Sequence, residues 1–281
     1  MRVTIFGATG LLGKALMREW RGDEVTGLGS RDVDIRSHDK VVAAAREHRP
    51  EWIVLAAAYT DVDGCETHRD LAFDVNTNGA VNVAKAAAQV GARLLFLSTD
   101  YVFDGTSARP YEIDDPLNPQ TVYGKSKADA EVEIRKVLPA SCILRTSWVF
   151  GLGGKCFPET ILNLARTRPE LDVVNDQRGC PTYTIDLARA IVQLCSRNAT
   201  GTVHVTNNGD CTWFDFASAI ASFCQLPTTV RPTTSDKFVR PAPRPKYSVL
   251  SSASMRSYGI SMPSWEDALQ RYLDERQASL P

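Results

Sequence analysis

The first thirteen residues limit what this chain can fold into more than any other stretch. Arg2-Val3-Thr4-Ile5-Phe6 is a short, β-rich apolar run that reads as a buried strand. Gly7-Ala8-Thr9-Gly10-Leu11-Leu12-Gly13 follows at once, and Leu12, Ala15, Leu16 and Glu19-Trp20 continue at helical spacing. Strand, glycine turn and helix is the context in which a loop cradles the pyrophosphate of a dinucleotide. Gly7 permits the tight turn, Gly10 lets the backbone approach the phosphates, and Gly13 lets helix pack closely on strand. The helix start then offers free N–H groups and a positive dipole end to the anion. Thr9, Leu11 and Leu12 belong to the same cradle. The spacing is Gly-x-x-Gly-x-x-Gly rather than Gly-x-Gly-x-x-Gly, and a ligand-free glycine turn is the competing explanation.

Strand and helix patterns alternate from there. Strands are expected at 24–28, 52–55, 94–97 and 142–144, and helices at 39–47, 69–90 and 121–137, the second stopped by Gly91. This order predicts an α/β fold, a doubly wound parallel Rossmann sheet with right-handed crossovers. After about Gly151 the rhythm is less regular. Helices are expected at 157–166, 185–195, 214–224 and 265–273, strands at 171–174 and 202–205, and an extended loop at 231–246, which is rich in Pro, Arg and Thr. The expected division is an NAD(P)-binding domain over 1–150 and a smaller, discontinuous substrate-binding lobe over 151–281, some of whose segments return to the first domain.

Tyr123-Gly-Lys-Ser-Lys127 carries the chemistry. On a helix, Tyr123 and Lys127 stand at i and i+4 and share a face. An ammonium beside a phenol favours the phenolate, which makes Tyr123 an acid or base near neutral pH. Thr99 closes the run Arg93-Leu94-Leu95-Phe96-Leu97, so its hydroxyl falls at the C-terminal end of a strand, where open α/β sheets bind ligands. Thr99, Tyr123 and Lys127 together suit proton transfer to or from a carbonyl or alcohol oxygen. The plainer explanation for Thr99 is a hydroxyl capping the next turn, with Ser98 as the alternative.

The second strand bears on cofactor choice. An NAD-specific site places a carboxylate at that strand's end, roughly 20 residues past the glycines, to bind the ribose 2′-OH. Here Glu24-Val-Thr-Gly-Leu28 runs into Gly29-Ser30-Arg31. Arg31 offers charge-assisted hydrogen bonds to a 2′-phosphate and Ser30 another, so NADPH is expected to be preferred over NADH. A solvated arginine, with Asp32 reaching the ribose instead, is the competing explanation.

Charge excludes other classes of partner. Lys plus Arg number 32 against 33 for Asp plus Glu, which leaves no electrostatic footprint for nucleic acid or an acidic membrane. No apolar run approaches a membrane span, and the chain opens straight into a strand without a signal peptide. Seven cysteines without Cys-x-x-Cys spacing fit a reducing cytosol, so a cytoplasmic protein is expected. The four histidines are dispersed, and no metal site is expected.

These motifs, with Ala56-Ala-Ala-Tyr-Thr-Asp-Val-Asp63, Ser98-Thr-Asp-Tyr-Val-Phe-Asp-Gly105, Arg145-Thr-Ser-Trp-Val-Phe-Gly151, Asp176-Gln-Arg-Gly-Cys-Pro-Thr182 and Arg244-Pro-Lys-Tyr-Ser-Val-Leu250, resemble the extended short-chain dehydrogenase/reductase family. Within it they are most similar to the branch of dTDP-4-dehydrorhamnose reductases, nearly end to end. The resemblance implies hydride transfer from NADPH or NADH to C4 of a 4-keto-6-deoxy sugar nucleotide, a small-molecule substrate. Tyr123 would protonate the C4 oxyanion. Lys127 would lower the Tyr123 pKa and hold the nicotinamide ribose, and Thr99 would orient the carbonyl.

The resemblance also implies that Asp34 and Ile35 lie by the adenine. Ala56, Ala57, Ala58, Tyr59, Thr60 and Asn76 would lie along the cofactor, and Val62, Asp100, Tyr101 and Trp148 around the sugar, with the Trp148 ring packed on its C–H-rich face. Sugar dehydratases of the family carry Thr-Asp-Glu where this chain has Thr99-Asp100-Tyr101, which argues for reduction without dehydration. Members that dimerise around Mg²⁺ use a carboxylate where this chain has Ala15, so a monomer, or a homodimer without a metal bridge, is implied and no metal is required. A rival resemblance is to the regulatory subunit of methionine adenosyltransferase, a nucleotide-binding partner that catalyses nothing. It predicts loss of the sugar-side residues, and these are intact.

Overall fold

The computed structural model describes residues 1–279. Strands β1 (Arg2–Phe6), β2 (Glu24–Leu28), β3 (Trp52–Leu55), β4 (Arg93–Thr99) and β5 (Cys142–Thr146) join Gly201–His204 in one six-stranded sheet. Its order is Gly201–His204, β5, β4, β3, β1, β2, and every pairing is parallel. β1 pairs with β2 on one side and β3 on the other, so the winding reverses at β1. The crevice at such a reversal, beyond the C-terminal strand ends, is where doubly wound sheets take ligands.

Both faces of the sheet are covered. Trp52, Val54, Leu95 and Leu97 point into one core, with Ala15 and Leu16 of α1 (Leu11–Glu19) and Leu187 and Ile191 of the helix Thr184–Ser196. Their neighbours Ile53, Leu55, Leu94 and Phe96 point into the other, with residues of α2 (His38–His48) and of two later helices described below. Strands buried on both faces read as unbroken apolar runs, which is why these strands stand out in the sequence.

The expected helix 69–90 is three pieces: α4 (Arg69–Phe73), a π-helical turn (Asp74–Gly79) and α5 (Ala80–Val90). Single π-turns widen a helix locally and favour functional regions. Here the turn carries Asn76 and Thr77 into the protein interior, and both bind the chain around them. A further helix, α3 (Val62–Thr67), lies in a stretch to which patterning assigned none; the Asp61 carboxylate caps it by accepting from Gly64 N.

The second half is built from short ladders. Val149–Phe150 pairs with Thr182–Tyr183, and Arg178–Gly179 with Cys211–Thr212. The expected loop 231–246 begins inside a strand, Thr229–Thr233, paired in parallel with Glu170–Val174. Pro232 is tolerated because this is an edge. The strand expected at 202–205 joins the main sheet as Gly201–His204, and the C-terminal helix runs on to Ala278.

Candidate active site

The glycine turn forms as its residues dictate. Gly7 sits at φ +94°, and a Cβ there would lie 2.5 Å from Ala57 N. A Cβ on Gly13 would lie 2.1 Å from the Gly7 carbonyl oxygen, so α1 touches the turn as only glycine allows. α1 starts after Gly10 with no side-chain cap and no acidic residue in its first turn. Its N–H groups and dipole face the crevice without a competing anion, which is the condition for binding phosphate. This cradle fits a dinucleotide.

The catalytic candidates converge on the same crevice. α6 (Val122–Val137) is capped by Thr121, whose hydroxyl accepts from Gly124 N at 2.9 Å. Gly124 packs on the turn after β4, where a Cβ would lie 2.1 Å from Tyr101 O. This close approach brings Tyr123 beside the end of β4. Its ring meets Tyr101 edge-on, with centroids 5.6 Å apart. Thr99, Tyr123 and Lys127 all line one open cavity of about 1310 Å³, together with Gly7, Gly10, Leu11, Leu12 and Gly13 of the glycine turn.

Electrostatics correct one expectation. The Tyr123 phenol stands above its ordinary value in this structure, not below it. Burial raises the Tyr123 phenol above its ordinary value, while the Thr99 hydroxyl acts the other way. Burial also lowers Lys127 to about 7, against the pull of Glu131. Its Nζ lies over the Phe96 ring, 4.0 Å from the centroid. Burial dominates at both groups because each pays to carry charge in this interior. The consequence is a phenol that keeps its proton at neutral pH.

Thr99 does two things. Its hydroxyl accepts from Tyr101 N at 3.2 Å, the capping role foreseen as the plainer explanation, and donates to Asp100 Oδ1 at 3.0 Å. Asp100 is buried, with Oδ2 unpartnered, and burial raises it to about 6. Ser98 also lines the cavity, but its hydroxyl is committed to the Glu131 carboxylate. Glu131 in turn holds Arg145 at 2.7 Å in a fully buried ion pair. Removing one partner of such a pair costs about 3–5 kcal/mol.

Ala56, Ala58, Thr60, Val62, Asp100, Tyr101 and Trp148 join the lining. Thr9, Ser30, Arg31, Asp34, Ile35, Ala57 and Tyr59 are not part of that lining. Ser30 and Arg31 are exposed on a turn beside the glycine loop, since a Cβ on Gly29 would lie 2.8 Å from Thr9 Cγ2. Asp32 is turned back on that turn, accepting from Gly29 N at 2.7 Å. Asp34 is gripped by Arg36, with contacts of 3.0 and 2.7 Å, which holds its carboxyl below the usual range. Ile35 is packed in the core.

Asn76 departs from its expected role. It is buried and bonds Tyr59 N (2.7 Å), Tyr59 O (3.1 Å) and Ser126 Oγ (3.0 Å). It ties the loop after β3 to α6, with both Nδ2 protons engaged and Oδ1 accepting one bond.

The wall around Trp148 holds residues to which the sequence analysis gave no role. Trp213, Phe157, Gln177, Arg240 and Arg244 line it, the last two anchored by Asp63. The Asp176–Thr182 and Arg244–Leu250 motifs pointed there without naming side chains. Trp213 lies in neither.

Among the described residues no helix is long and apolar enough to cross a membrane. The family model described as "RmlD substrate binding domain" matches residues 1–278. The spore coat polysaccharide biosynthesis protein SpsK of Bacillus subtilis is 42% identical over 99% of each chain. A dTDP-4-dehydrorhamnose reductase of Streptomyces griseus is 41% identical over 95% of this chain and 91% of its own. The solved dTDP-4-dehydrorhamnose reductase of Bacillus anthracis, in complex with NADP, superposes with a TM-score of 0.95 at 40% identity, covering 98% of this chain and 99% of that one.

Proposed function

The chain belongs to the RmlD substrate binding domain family, and from that premise we propose that it is a nicotinamide-dependent reductase of the C4 keto group of dTDP-4-dehydro-L-rhamnose or a close 4-keto-6-deoxy sugar nucleotide. The observation that carries this reading is one cavity with an uncapped helix start at one end and Thr99, Tyr123, Lys127 and Trp148 further along it.

The bound nicotinamide supplies the hydride. The glycine turn and the start of α1 hold the pyrophosphate, the loop Ala56–Thr60 the adjoining part of the cofactor, and Lys127 the nicotinamide ribose. Tyr123 hands its proton to the oxygen that becomes negative at C4. The phenol carries its proton at neutral pH, and the alkoxide that hydride transfer forms at C4 is basic enough to take it. Thr99 donates a hydrogen bond to the same oxygen, exchanging its present bond to Asp100 for one to the substrate. Tyr101 and Val62 wall the sugar, and Trp148 meets it at the far side.

The cofactor half is residues 1–150 and the sugar half residues 151 onward, with Thr184–Ser196 and Gly201–His204 returning to the sheet. NADPH is the preferred form, read by Ser30 and Arg31. Asp32, the carboxylate that would favour NADH, has its Oδ2 turned onto Gly29 N. No metal is needed. The test is NADPH oxidation on addition of a freshly made dTDP-4-keto-6-deoxy sugar. Oxidation that depends on that sugar supports the reading, and a protein that binds NADPH but never consumes it would be a binding partner instead.

A further inference from the structure

We infer that Trp213 and Gly179 form a clamp that holds the Trp148 indole in place for the sugar, which makes Trp213 a positioning residue of the reductase. The inference rests on the reaction proposed above and adds a residue to it.

Trp148 follows β5 and is an unusual residue. Its backbone lies at φ +46°, in the left-handed region. A bulky side chain stays there only where its surroundings hold it. Two contacts do so. Its carbonyl oxygen accepts from Thr182 N at 3.2 Å. Its indole stacks on that of Trp213, with centroids 3.5 Å apart and planes 6° from parallel. Gly179 closes on the same indole: a Cβ there would lie 2.5 Å from Cε2, 2.6 Å from Nε1 and 2.8 Å from Cζ2. Any residue but glycine at 179 would push the ring out of its slot.

The two jaws are one piece of structure. Gly179 pairs with Cys211 and Arg178 with Thr212 in a single antiparallel ladder, and Trp213 comes directly after it. Trp213 is the first residue of the helix Trp213–Phe223. A capping box fixes that position: Asp215 N donates to Thr212 Oγ1 at 3.1 Å and Thr212 N to Asp215 Oδ2 at 2.9 Å. Phe157 backs the Trp213 ring at 4.5 Å. Trp148, Trp213 and Phe157 all line the cavity. A rigid support of this kind spares substrate binding the cost of ordering a large flexible ring. It acts on affinity for the sugar nucleotide and leaves the chemical step and the cofactor end alone.

The variants Trp213→Leu, Trp213→Phe and Gly179→Ala test this. Trp213→Leu keeps the apolar bulk and removes the stack. It should raise the KM for the sugar nucleotide roughly three- to tenfold, the factor an aromatic pair is worth, with kcat and the KM for NADPH within about twofold. Gly179→Ala should move the same constants in the same direction, and Trp213→Phe should restore most of the affinity. Combining Trp213→Leu with Trp148→Ala should cost no more than Trp148→Ala alone, because the clamp acts only through the ring it holds. An unchanged sugar-nucleotide KM in Trp213→Leu, or additive losses in the double variant, overturns the clamp. The exciton couplet of two stacked indoles in the far-ultraviolet circular dichroism spectrum reads the stack without turnover. It should be present in the wild type and lost in Trp213→Leu. Its absence from the wild type overturns the clamp. Its presence in a wild type that reduces no keto sugar supports the clamp and removes the proposed reaction.

Discussion

At the cofactor end the cavity wall is backbone, where Gly7 and Gly13 leave no room for a Cβ and α1 opens uncapped. At the sugar end the wall is large side chains, Tyr101, Trp148, Trp213 and Phe157, the tryptophans carried by or beside paired segments of two residues. A backbone wall recognises what every dinucleotide shares, its pyrophosphate, and needs only local geometry. A side-chain wall can be changed one residue at a time without disturbing the sheet, so that is where selectivity among sugars can be set. Tyr123, Thr99 and Lys127 line the same cavity as both.

The largest expected effect breaks the chemistry and spares both walls. Tyr123→Phe removes only the transferable proton. Its kcat should fall by about 10²–10⁴-fold with NADPH affinity nearly unchanged. Steady-state kinetics together with a cofactor titration check this, and near-wild-type turnover would mean that another group is the acid.

The next effect sharpens the cofactor end. Arg31→Ala should lower kcat/KM for NADPH by about tenfold, as expected for a lost charged hydrogen bond, and leave NADH alone. Equal losses with both cofactors would show that Arg31 does not read the 2′-phosphate.

A smaller effect concerns stability. The folded-state pKa of Lys127 lies near 7, below its ordinary value of 10.5. Between those pH values the unfolded chain binds more protons than the folded one. Stability from this group therefore rises with pH through that window, and its cost is fully present below about 7. Lys127→Met should raise the Tm of the cofactor-free protein at neutral pH by a few degrees, at roughly 2–4 °C per kcal/mol, while abolishing turnover. The gain over wild type should shrink toward pH 10.5. A gain that stays constant with pH would contradict the assignment. The smallest effect is none: Ala15 is packed in the core and offers no ligand, so activity should survive EDTA. Loss on chelation that Mg²⁺ restores would reveal a ligand set elsewhere.

The same contrast explains what the sequence revealed. The sheet was legible because its central strands are apolar runs bounded by turns, and the glycine cradle because its constraints lie within thirteen residues. Tyr123 and Lys127 were legible because one helix carries both. The π-turn was not, since Asp74–Gly79 keeps a helical pattern and only the bonds of Asn76 to Tyr59 and Ser126 give a reason for it. The strand Thr229–Thr233 was hidden by Pro232, and Trp213 by distance, because 65 residues separate it from the ring it stacks on. The balance of charges on Tyr123 and Lys127 was also out of reach. Spacing gives proximity, whereas burial decides which form is favoured.

The central claim is that one cavity joins a reduced nicotinamide to the C4 carbonyl of a 6-deoxy sugar nucleotide. The most direct test is turnover with NADPH deuterated at the nicotinamide C4 and a dTDP-4-keto-6-deoxy sugar, with the product read by NMR. The account predicts one deuterium at sugar C4 for each NADPH oxidised. NADPH oxidation without label at that carbon, or no oxidation in a protein shown to bind both ligands, would contradict it.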